Sequence, residues 1–200
     1  MVDEALLKKI YDCNTVKFSN HVMTNGKTLP VYIDLRQTFA NPEVYEAIAE
    51  AIWDRVKKID FDYICGAPYG AIPFATAISL KHQKPLLILR KENKNHGTKK
   101  LVDGNIVAGK KVLLVDDFIS SGNTAMYCMD VLTANGLVIS DIAVFIDSIL
   151  GGSALMKQQN INVHYVLTLA EFYQKLAGVV NFNNFQRNKI ISLALQYDNY

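Results

Sequence analysis

The chain has 200 residues, half of them hydrophobic, so it can bury a substantial core and is neither disordered nor fibrous. Lys and Arg outnumber Asp and Glu by only 21 to 19, which argues against a protein that mainly coats nucleic acid or an anionic membrane. Cys13, Cys65 and Cys128 form no Cys-x-x-Cys pair, which speaks against a disulfide framework or a zinc knuckle. We therefore expect a cytoplasmic protein with reduced cysteines.

The first 40 residues predict a small accessory layer. A helix near Asp3 to Asn14 is followed by two extended segments, Val16 to Phe18 and Val31 to Leu35, which flank the turn signal Asn25-Gly26. Because these segments precede the helix that leads into the main sheet, we expect them to lie outside that sheet.

A helix is predicted from Pro42 to Lys58. Asn41 is the expected N-cap, and Pro42 suits the first helical position. The apolar residues on one face of this helix are Val44, Ile48, Ala51, Ile52 and Val56. Further helices are predicted roughly over Ala71 to Lys81, Thr124 to Ala134, Ala154 to Gln159 and Leu169 to Ala177.

Five short apolar runs of strand composition follow residue 60. They are Tyr63–Cys65, Leu86–Leu89, Val112–Val115, Ile142–Ile146 and Val163–Leu167. Runs that are apolar throughout are typical of strands buried on both faces, as in a parallel sheet covered by helices. The pattern therefore predicts an α/β fold with a central, mostly parallel five-stranded sheet flanked by helices.

The segment from Val112 to Ala125 combines a buried strand, two acids and a loop of small and hydroxylic residues. The acids are Asp116 and Asp117, and the loop residues are Ser120, Ser121, Gly122, Asn123 and Thr124. Ligands bind at this edge of a parallel sheet, and loop N–H groups, hydroxyls and a helix N-terminus together favour a phosphate. The carboxylates would repel that phosphate, so they suit sugar hydroxyls, a divalent cation or a developing positive charge. The plainer alternative is an N-capped helix with exposed acids.

This segment resembles the 5-phosphoribosyl-1-pyrophosphate (PRPP) motif of the type I phosphoribosyltransferases, in which four apolar residues and two acids precede a small hydroxylic loop ending in Thr. It lacks the Gly-Lys-Ser/Thr of a Walker A loop and the Gly-x-Gly-x-x-Gly of a dinucleotide-binding site. The resemblance implies that Ser120 to Thr124 hold the 5′-phosphate. It also implies that Asp116 and Asp117 bind the ribose 2′- and 3′-hydroxyls.

A second segment, from Arg90 to Gly104, narrows the resemblance. It begins Arg-Lys-Glu-Asn-Lys-Asn-His-Gly, which is similar to the orotate phosphoribosyltransferase signature Arg-Lys-Glu-x-Lys-x-His/Tyr-Gly. Read alone, this polar run is typical of a solvated loop, and beside a phosphate site it also suits a cationic lid over a pyrophosphate. The resemblance implies that Arg90 and Lys91 lie in the site and that Lys94 and His96 are offered to the neighbouring subunit's site.

Two shorter segments also resemble that family. Cys65 to Pro73 is similar to its pyrophosphate loop, and Pro30 to Arg36 is similar to the hood that covers the base. The residues that these similarities place against substrate are Tyr69 and Gly70 in the first segment and Tyr32 and Ile33 in the second.

Two departures from the family concern the base. Thr24-Asn25-Gly26 stands where Lys-Ser-Gly is common, and Ser148 follows Asp147 where the family usually has the arginine that recognises the orotate carboxylate. A serine supplies no bidentate charged fork. The remaining candidates to receive that carboxylate are Lys27, Arg36 and backbone amides near Gly151-Gly152.

Together the resemblances imply a type I phosphoribosyltransferase-like fold with a small N-terminal hood. We expect a single domain over residues 1–200, with the hood in about 1–40 and the core in about 60–175. The implied activity is the transfer of the phosphoribosyl group of PRPP to orotate, giving orotidine 5′-monophosphate (OMP) and pyrophosphate in pyrimidine biosynthesis. We expect Mg²⁺ held largely by substrate oxygens, with no dedicated protein ligands, and a homodimer with shared active sites.

Two alternatives stay open. Thr24 and Ser148 leave room for a phosphoribosyltransferase that acts on another nucleobase. A PRPP-sensing regulator on the same fold would need a nucleic-acid-binding element, and the sequence shows neither a helix-turn-helix before the hood nor a basic stripe. We therefore expect no nucleic-acid or membrane partner. Residues 181–200 carry no motif from which a role can be predicted.

Overall fold

A computed structural model of the chain describes residues 2–18, 21–22, 28–91 and 101–198. In chain order its helices and strands are α1 Glu4–Asp12, β1 Val16–Lys17, β2 His21–Val22, β3 Thr28–Leu29, β4 Tyr32–Ile33, a 3₁₀ helix Leu35–Ala40, α2 Pro42–Val56, β5 Tyr63–Gly66, α3 Ile72–His82, β6 Leu86–Leu89, β7 Val102–Asp103, β8 Lys111–Ile119, α4 Asn123–Ala134, β9 Val138–Asp147, α5 Gly152–Gln158, β10 Asn162–Thr168, α6 Leu169–Val179 and α7 Asn184–Asp198.

Within the described ranges, the central sheet has six strands in the order β10-β9-β8-β5-β6-β7. The five predicted strands are all present and pair in parallel, which confirms the mostly parallel α/β sheet. The sixth strand, β7, is a two-residue antiparallel edge strand on β6. The expected strand number is therefore corrected from five to six, because a two-residue strand is too short to produce a periodic signal in the sequence.

Helices cover both faces of this sheet. Successive residues of a strand point to opposite faces, so neighbouring residues of β8 join different cores. Leu113 and Val115 of β8 join the core under α1, α2, α3, α6 and α7. Leu114 joins the second core, under α4 and α5. Cys65 and Cys128 lie in that second core as free thiols, and burial raises the pKa of each to about 12. Both are therefore packing residues rather than reactive thiolates.

The predicted start of α2 is confirmed. The Asn41 side chain accepts a hydrogen bond from the Val44 N–H at 3.3 Å, and Pro42 occupies the first turn. The buried face differs from the prediction at one position, because Ala49 rather than Ala51 is fully buried.

The N-terminal strands form two separate two-stranded sheets, β1 with β4 and β2 with β3, both antiparallel. Their position outside the central sheet is as predicted. The extended segment predicted through Leu35 ends earlier, because Leu35 begins the 3₁₀ helix. Asp34 caps that helix by accepting a hydrogen bond from the Arg36 N–H at 3.3 Å.

Helix α7 occupies the C-terminal segment for which the sequence predicted no structure. It buries Ile190, Leu193, Ala194 and Tyr197, and α6 is its principal neighbour in the fold. No helix in the described part of the chain combines the length and the apolar character needed to cross a bilayer.

Candidate active site

A cleft of about 430 Å³ opens at the carboxyl ends of the parallel strands, the edge at which α/β sheets bind ligands. Strand β5 ends at Gly66, opposite Val115 of β8, whereas β9 continues to pair with β8 as far as Ile119. The last residues of β8 therefore have a neighbouring strand on one side only, and the cleft lies over this part of the sheet. Eleven of the predicted site and candidate residues line it: Tyr32, Ile33, Arg36, Tyr69, Gly70, Lys91, Asp116, Asp117, Ser120, Thr124 and Ser148.

The acidic pair lies inside β8 rather than after it, because β8 extends to Ile119. The Asp116 Oδ1 atom accepts a hydrogen bond from the Asp117 N–H at 2.9 Å. Burial and the neighbouring charge of Asp117 raise the pKa of Asp116 well above its ordinary value, and burial raises the pKa of Asp117. Both carboxyl groups are therefore poorly solvated as anions, and a ligand that offers hydroxyl donors or a cation would stabilise their ionised forms.

The loop after β8 lines a second, smaller cavity of about 110 Å³, which shares Asp116, Phe118, Ser120 and Thr124 with the cleft. Ser121, Gly122 and Asn123 belong to this smaller cavity and do not line the cleft. Gly122 is the N-cap of α4, has a φ of +82° and offers no side-chain oxygen to the first-turn N–H groups. Those N–H groups and the Ser and Thr hydroxyls give this loop the composition of an anion site.

The loop after β9 supports the loop after β8. The Ser148 N–H donates to the Ile119 carbonyl oxygen at 3.0 Å, and the Gly152 N–H donates to the Ser120 carbonyl oxygen at 2.7 Å. Ser148 itself is fully buried. The Ile149 N–H donates to the Asp147 carboxylate at 2.8 Å, and the Leu150 N–H donates to the Ser148 hydroxyl at 3.3 Å.

These contacts reduce the number of groups that could receive the carboxylate of orotate. The N–H groups at positions 149, 150 and 152 are engaged within the protein, and Lys27 lies outside the described residues. Among the described residues that line the cleft, the cations are Arg36 and Lys91.

Arg36 is held at the cleft by the hood. Its Nε donates to Asp34 Oδ1 at 2.6 Å, and its Nη2 lies 3.3 Å from the Tyr32 hydroxyl. Burial raises the pKa of Asp34, but the hydrogen bonds from Arg36 and Gln37 outweigh it and leave that pKa below its ordinary value. Asp34 is therefore ionised and fixes the guanidinium. A Cβ at Gly70 would lie 3.5 Å from both Arg36 Cδ and Asp117 Oδ2, so glycine keeps the space between these side chains open.

The structure places Arg90 and Lys91, the first two residues of the predicted cationic segment, in different surroundings. Lys91 lines the cleft, and its Nζ lies 5.6 Å from the ring centroid of Tyr69, within the range of a cation–π interaction. Arg90 lines neither cavity, and its guanidinium forms an ion pair with Asp103 of β7. Lys94 and His96 lie outside the described residues.

Some cleft residues were not predicted from the sequence. They are Val31, Asp34, Pro68, Phe118, Leu150, Leu169, Tyr173 and Tyr197. A signal for two of them was available, because Leu169 and Tyr173 are four residues apart on a predicted helix that follows a predicted strand. Within the described residues, no group of three or more His, Cys, Asp or Glu is arranged to hold a metal ion.

Comparison with known proteins agrees with this geometry. The phosphoribosyl transferase domain family matches residues 34–160. An orotate phosphoribosyltransferase from Pyrococcus abyssi is 34% identical over 178 residues, which cover 88% of this chain and 97% of that enzyme. The chain belongs to the orotate phosphoribosyltransferase family. This membership confirms the family resemblance and the type I phosphoribosyltransferase fold inferred from the motifs.

Longer proteins also match this member of the orotate phosphoribosyltransferase family. A bifunctional enzyme named PyrF/PyrE from Nostoc sp. is 37% identical over 182 residues, which cover 90% of this chain but only 38% of that enzyme. The structure of UMP synthase from Leishmania donovani superimposes with a TM-score of 0.88 at 27% identity and covers 98% of this chain and 43% of that one. The chain thus spans less than half the length of these two longer relatives.

Proposed function

We propose that this chain transfers the phosphoribosyl group of PRPP to orotate, giving OMP and pyrophosphate. The observation that carries the proposal is the junction of the half-buried Asp116-Asp117 pair with the loop at the N-terminus of α4, in one cleft at the carboxyl edge of the sheet. This junction offers carboxylates for a sugar and N–H and hydroxyl donors for a phosphate, at positions that match the family's PRPP motif.

The roles of the cleft residues follow from their chemistry. Ser120 to Thr124 hold the 5′-phosphate through N–H and hydroxyl groups. Asp116 and Asp117 accept hydrogen bonds from the ribose hydroxyls, which compensates for the burial of their charges. Tyr69 and Gly70 contribute to the pyrophosphate region, together with Lys91. Lys94 and His96 of the cationic segment are proposed to reach the pyrophosphate in a partner subunit's site. Arg90 lines neither cavity and would have to leave its ion pair with Asp103 to contact the pyrophosphate.

The reaction separates charge in a way that this distribution can stabilise. The bond between ribose C1 and the pyrophosphate oxygen breaks, the bond between C1 and orotate N1 forms, and the N1 proton passes to solvent. Positive charge develops on the ribose while pyrophosphate leaves with the bonding electrons. Carboxylates beside the sugar stabilise the first charge, and Lys91 stabilises the second.

Mg²⁺ is the proposed cofactor. Carboxylate oxygens are hard ligands that suit Mg²⁺, and Mg²⁺ is usually completed by substrate phosphates rather than by an all-protein cage. The two carboxylates of the acidic pair line the cleft and fit this pattern, since they can supply a few protein oxygens beside the substrate's own. Mg²⁺ would neutralise the pyrophosphate charge when bound, with Asp116 and Asp117 as the available protein oxygens.

The base is proposed to lie between the hood, at Tyr32 and Ile33, and the loop that contains Ser148. Arg36 is the proposed partner of the orotate carboxylate, because it is the described cation on the hood side of the cleft and Asp34 already holds it. This arrangement accounts for a serine at position 148.

The oligomeric state and the cellular location of the protein are also proposals. We propose a homodimer with shared sites, since Lys94 and His96 correspond to lid residues that the family offers to a neighbouring subunit. The cytoplasmic location, the hood in residues 1–40 and the core in residues 60–175 stay predictions.

The proposal is tested by pyrophosphate release from PRPP and Mg²⁺ with orotate, uracil, adenine, guanine and hypoxanthine offered separately. We expect release with orotate alone among these bases. Release with a different base would replace orotate with that base and keep the transferase assignment. Binding of PRPP without turnover of any base would favour the sensing alternative.

A further inference from the structure

Tyr173 of α6 is a buried tyrosine that lines the cleft. The residue is 2% exposed, and its ring centroid lies 6.2 Å from those of both Phe172 and Tyr197. Among the described residues, the Tyr173 hydroxyl has no hydrogen-bond partner. Every fully buried side-chain oxygen in that part of the chain does have a partner, so the Tyr173 hydroxyl is not itself fully buried. The hydroxyl therefore reaches open space, and the open space that Tyr173 lines is the cleft.

The sheet register places this tyrosine beside the proposed base site. Thr168, the last residue of β10, lies opposite Asp147 of β9, so α6 begins next to the loop that contains Ser148. Leu169 and Tyr173 are one helical turn apart on the same face of α6, and both line the cleft with Ser148. Tyr197 of α7 is also buried, packs against the Tyr173 ring with an interplanar angle of 36° and lines the cleft.

The chemistry of this wall suits a flat, polar ring. Burial, and then the proximity of Tyr197, raise the pKa of Tyr173, so its hydroxyl is neutral and can donate at physiological pH. Tyrosine rings and Leu169 present apolar and aromatic surface to the same space. A neutral donor at the edge of an apolar wall selects for a ring that carries an oxygen acceptor, because a ring without one would leave the donor unpaired.

We propose that the Tyr173 hydroxyl donates a hydrogen bond to an oxygen of the base, and that Tyr197 on α7 positions the Tyr173 ring. Tyr173 is then a specificity-determining residue and Tyr197 a positioning residue, which gives the C-terminal segment a role in substrate recognition. This inference rests on the proposed function, since it requires that the cleft binds a nucleobase.

The substitution Tyr173→Phe tests the inference, because it removes the hydroxyl and keeps the ring. We expect the KM for orotate to rise about tenfold, which corresponds to about 1.4 kcal/mol, while the KM for PRPP changes less than twofold. Tyr197→Leu should raise the KM for orotate in the same selective way but to a smaller extent. Tyr165→Phe is the matched control, because Tyr165 is 41% exposed on β10 and does not line the cleft.

A binding measurement separates recognition from a general loss of structure. In calorimetric titrations, Tyr173→Phe should weaken OMP binding about tenfold and leave binding of ribose 5-phosphate unchanged. An unchanged KM for orotate, or equal losses for OMP and ribose 5-phosphate, overturns the role of Tyr173 while leaving the proposed function intact. A wild-type protein that neither consumes orotate nor binds OMP overturns the proposed function itself, and the inference with it.

Discussion

Gly152 lies directly against Ser120: its N–H donates to the Ser120 carbonyl oxygen at 2.7 Å, and a Cβ at position 152 would lie 2.4 Å from that oxygen. The same Cβ would lie 3.0 Å from the Gly122 nitrogen. The loop after β9 and the loop after β8 are therefore joined by backbone contacts that leave no room for a side chain. The proposed phosphate site depends on a residue more than twenty positions away in the chain.

The substitution Gly152→Ala should disturb both stability and phosphate binding. The added methyl group meets backbone atoms, which cannot rotate away, so we expect a loss of about 1–3 kcal/mol and a Tm lower by about 2–4 °C per kcal/mol. The KM for PRPP should rise more than the KM for orotate. Gly178→Ala in α6 is the control, because a Cβ there meets nothing within 4 Å and alanine favours a helix. Equal effects of the two substitutions would contradict the coupling of the loops.

The substitution Asp117→Asn should lower turnover more than it weakens PRPP binding. If the charge-assisted hydrogen bonds to the ribose strengthen as positive charge develops, the barrier rises by about 2–4 kcal/mol. Steady-state kinetics with both substrates varied would measure this split. Asp130→Asn in α4 is an exposed control. A variant of Asp117 with near-normal kcat would remove this carboxylate from the mechanism.

The acidic pair should also make the stability of the ligand-free protein depend on pH. Because the pKa of Asp116 is raised in the folded state, its contribution to stability is full below the ordinary aspartate pKa and is lost as the pH rises through the raised value. Asp116→Asn should therefore match the wild type near pH 4 and have the higher Tm at pH 7 to 8, by about 2–4 °C for each kcal/mol relieved. Thermal unfolding across this range measures the difference, and a gap that does not change with pH would disprove the account.

Removal of the Arg36 charge tests the proposed partner of the orotate carboxylate. Arg36→Gln should raise the KM for orotate about tenfold or more, about 1.4 kcal/mol or above, since a charge-assisted contact is lost. Arg187→Gln on the exposed side of α7 controls for the loss of a positive charge. If Arg36→Gln leaves the KM for orotate unchanged, the carboxylate binds elsewhere, and Lys27 becomes the next residue to test.

Features set by local sequence were predictable, and features set by tertiary contacts were not. The apolar runs, the Asn41 cap and the passage from strand through loop to helix between Val112 and Ala125 each lie within one short segment, and each was predicted correctly in kind. Helix α7 was missed because its buried residues are mixed with exposed apolar ones. Its buried residues Ile190, Leu193, Ala194 and Tyr197 do follow helical spacing, but Phe185, Ile191 and Leu195 are exposed and obscure that pattern.

The residues of the cleft also separate into those set by local sequence and those set by tertiary contacts. The acidic pair and the hydroxylic loop could be found from the sequence because they are contiguous. The contributions of Tyr173 and Tyr197 come from two later helices and depend on how these pack together. The pairing of Arg90 with Asp103 likewise required the short strand β7, which carries no sequence signal.

Identification of the product by mass spectrometry tests most directly whether this chain makes OMP from orotate and PRPP. Incubation of the full chain with PRPP, Mg²⁺ and orotate should yield OMP and pyrophosphate in a ratio of one to one, and Asp117→Asn should slow the appearance of both. If the wild-type protein forms no OMP while it converts another base to its nucleotide, or forms no nucleotide at all, the account is contradicted.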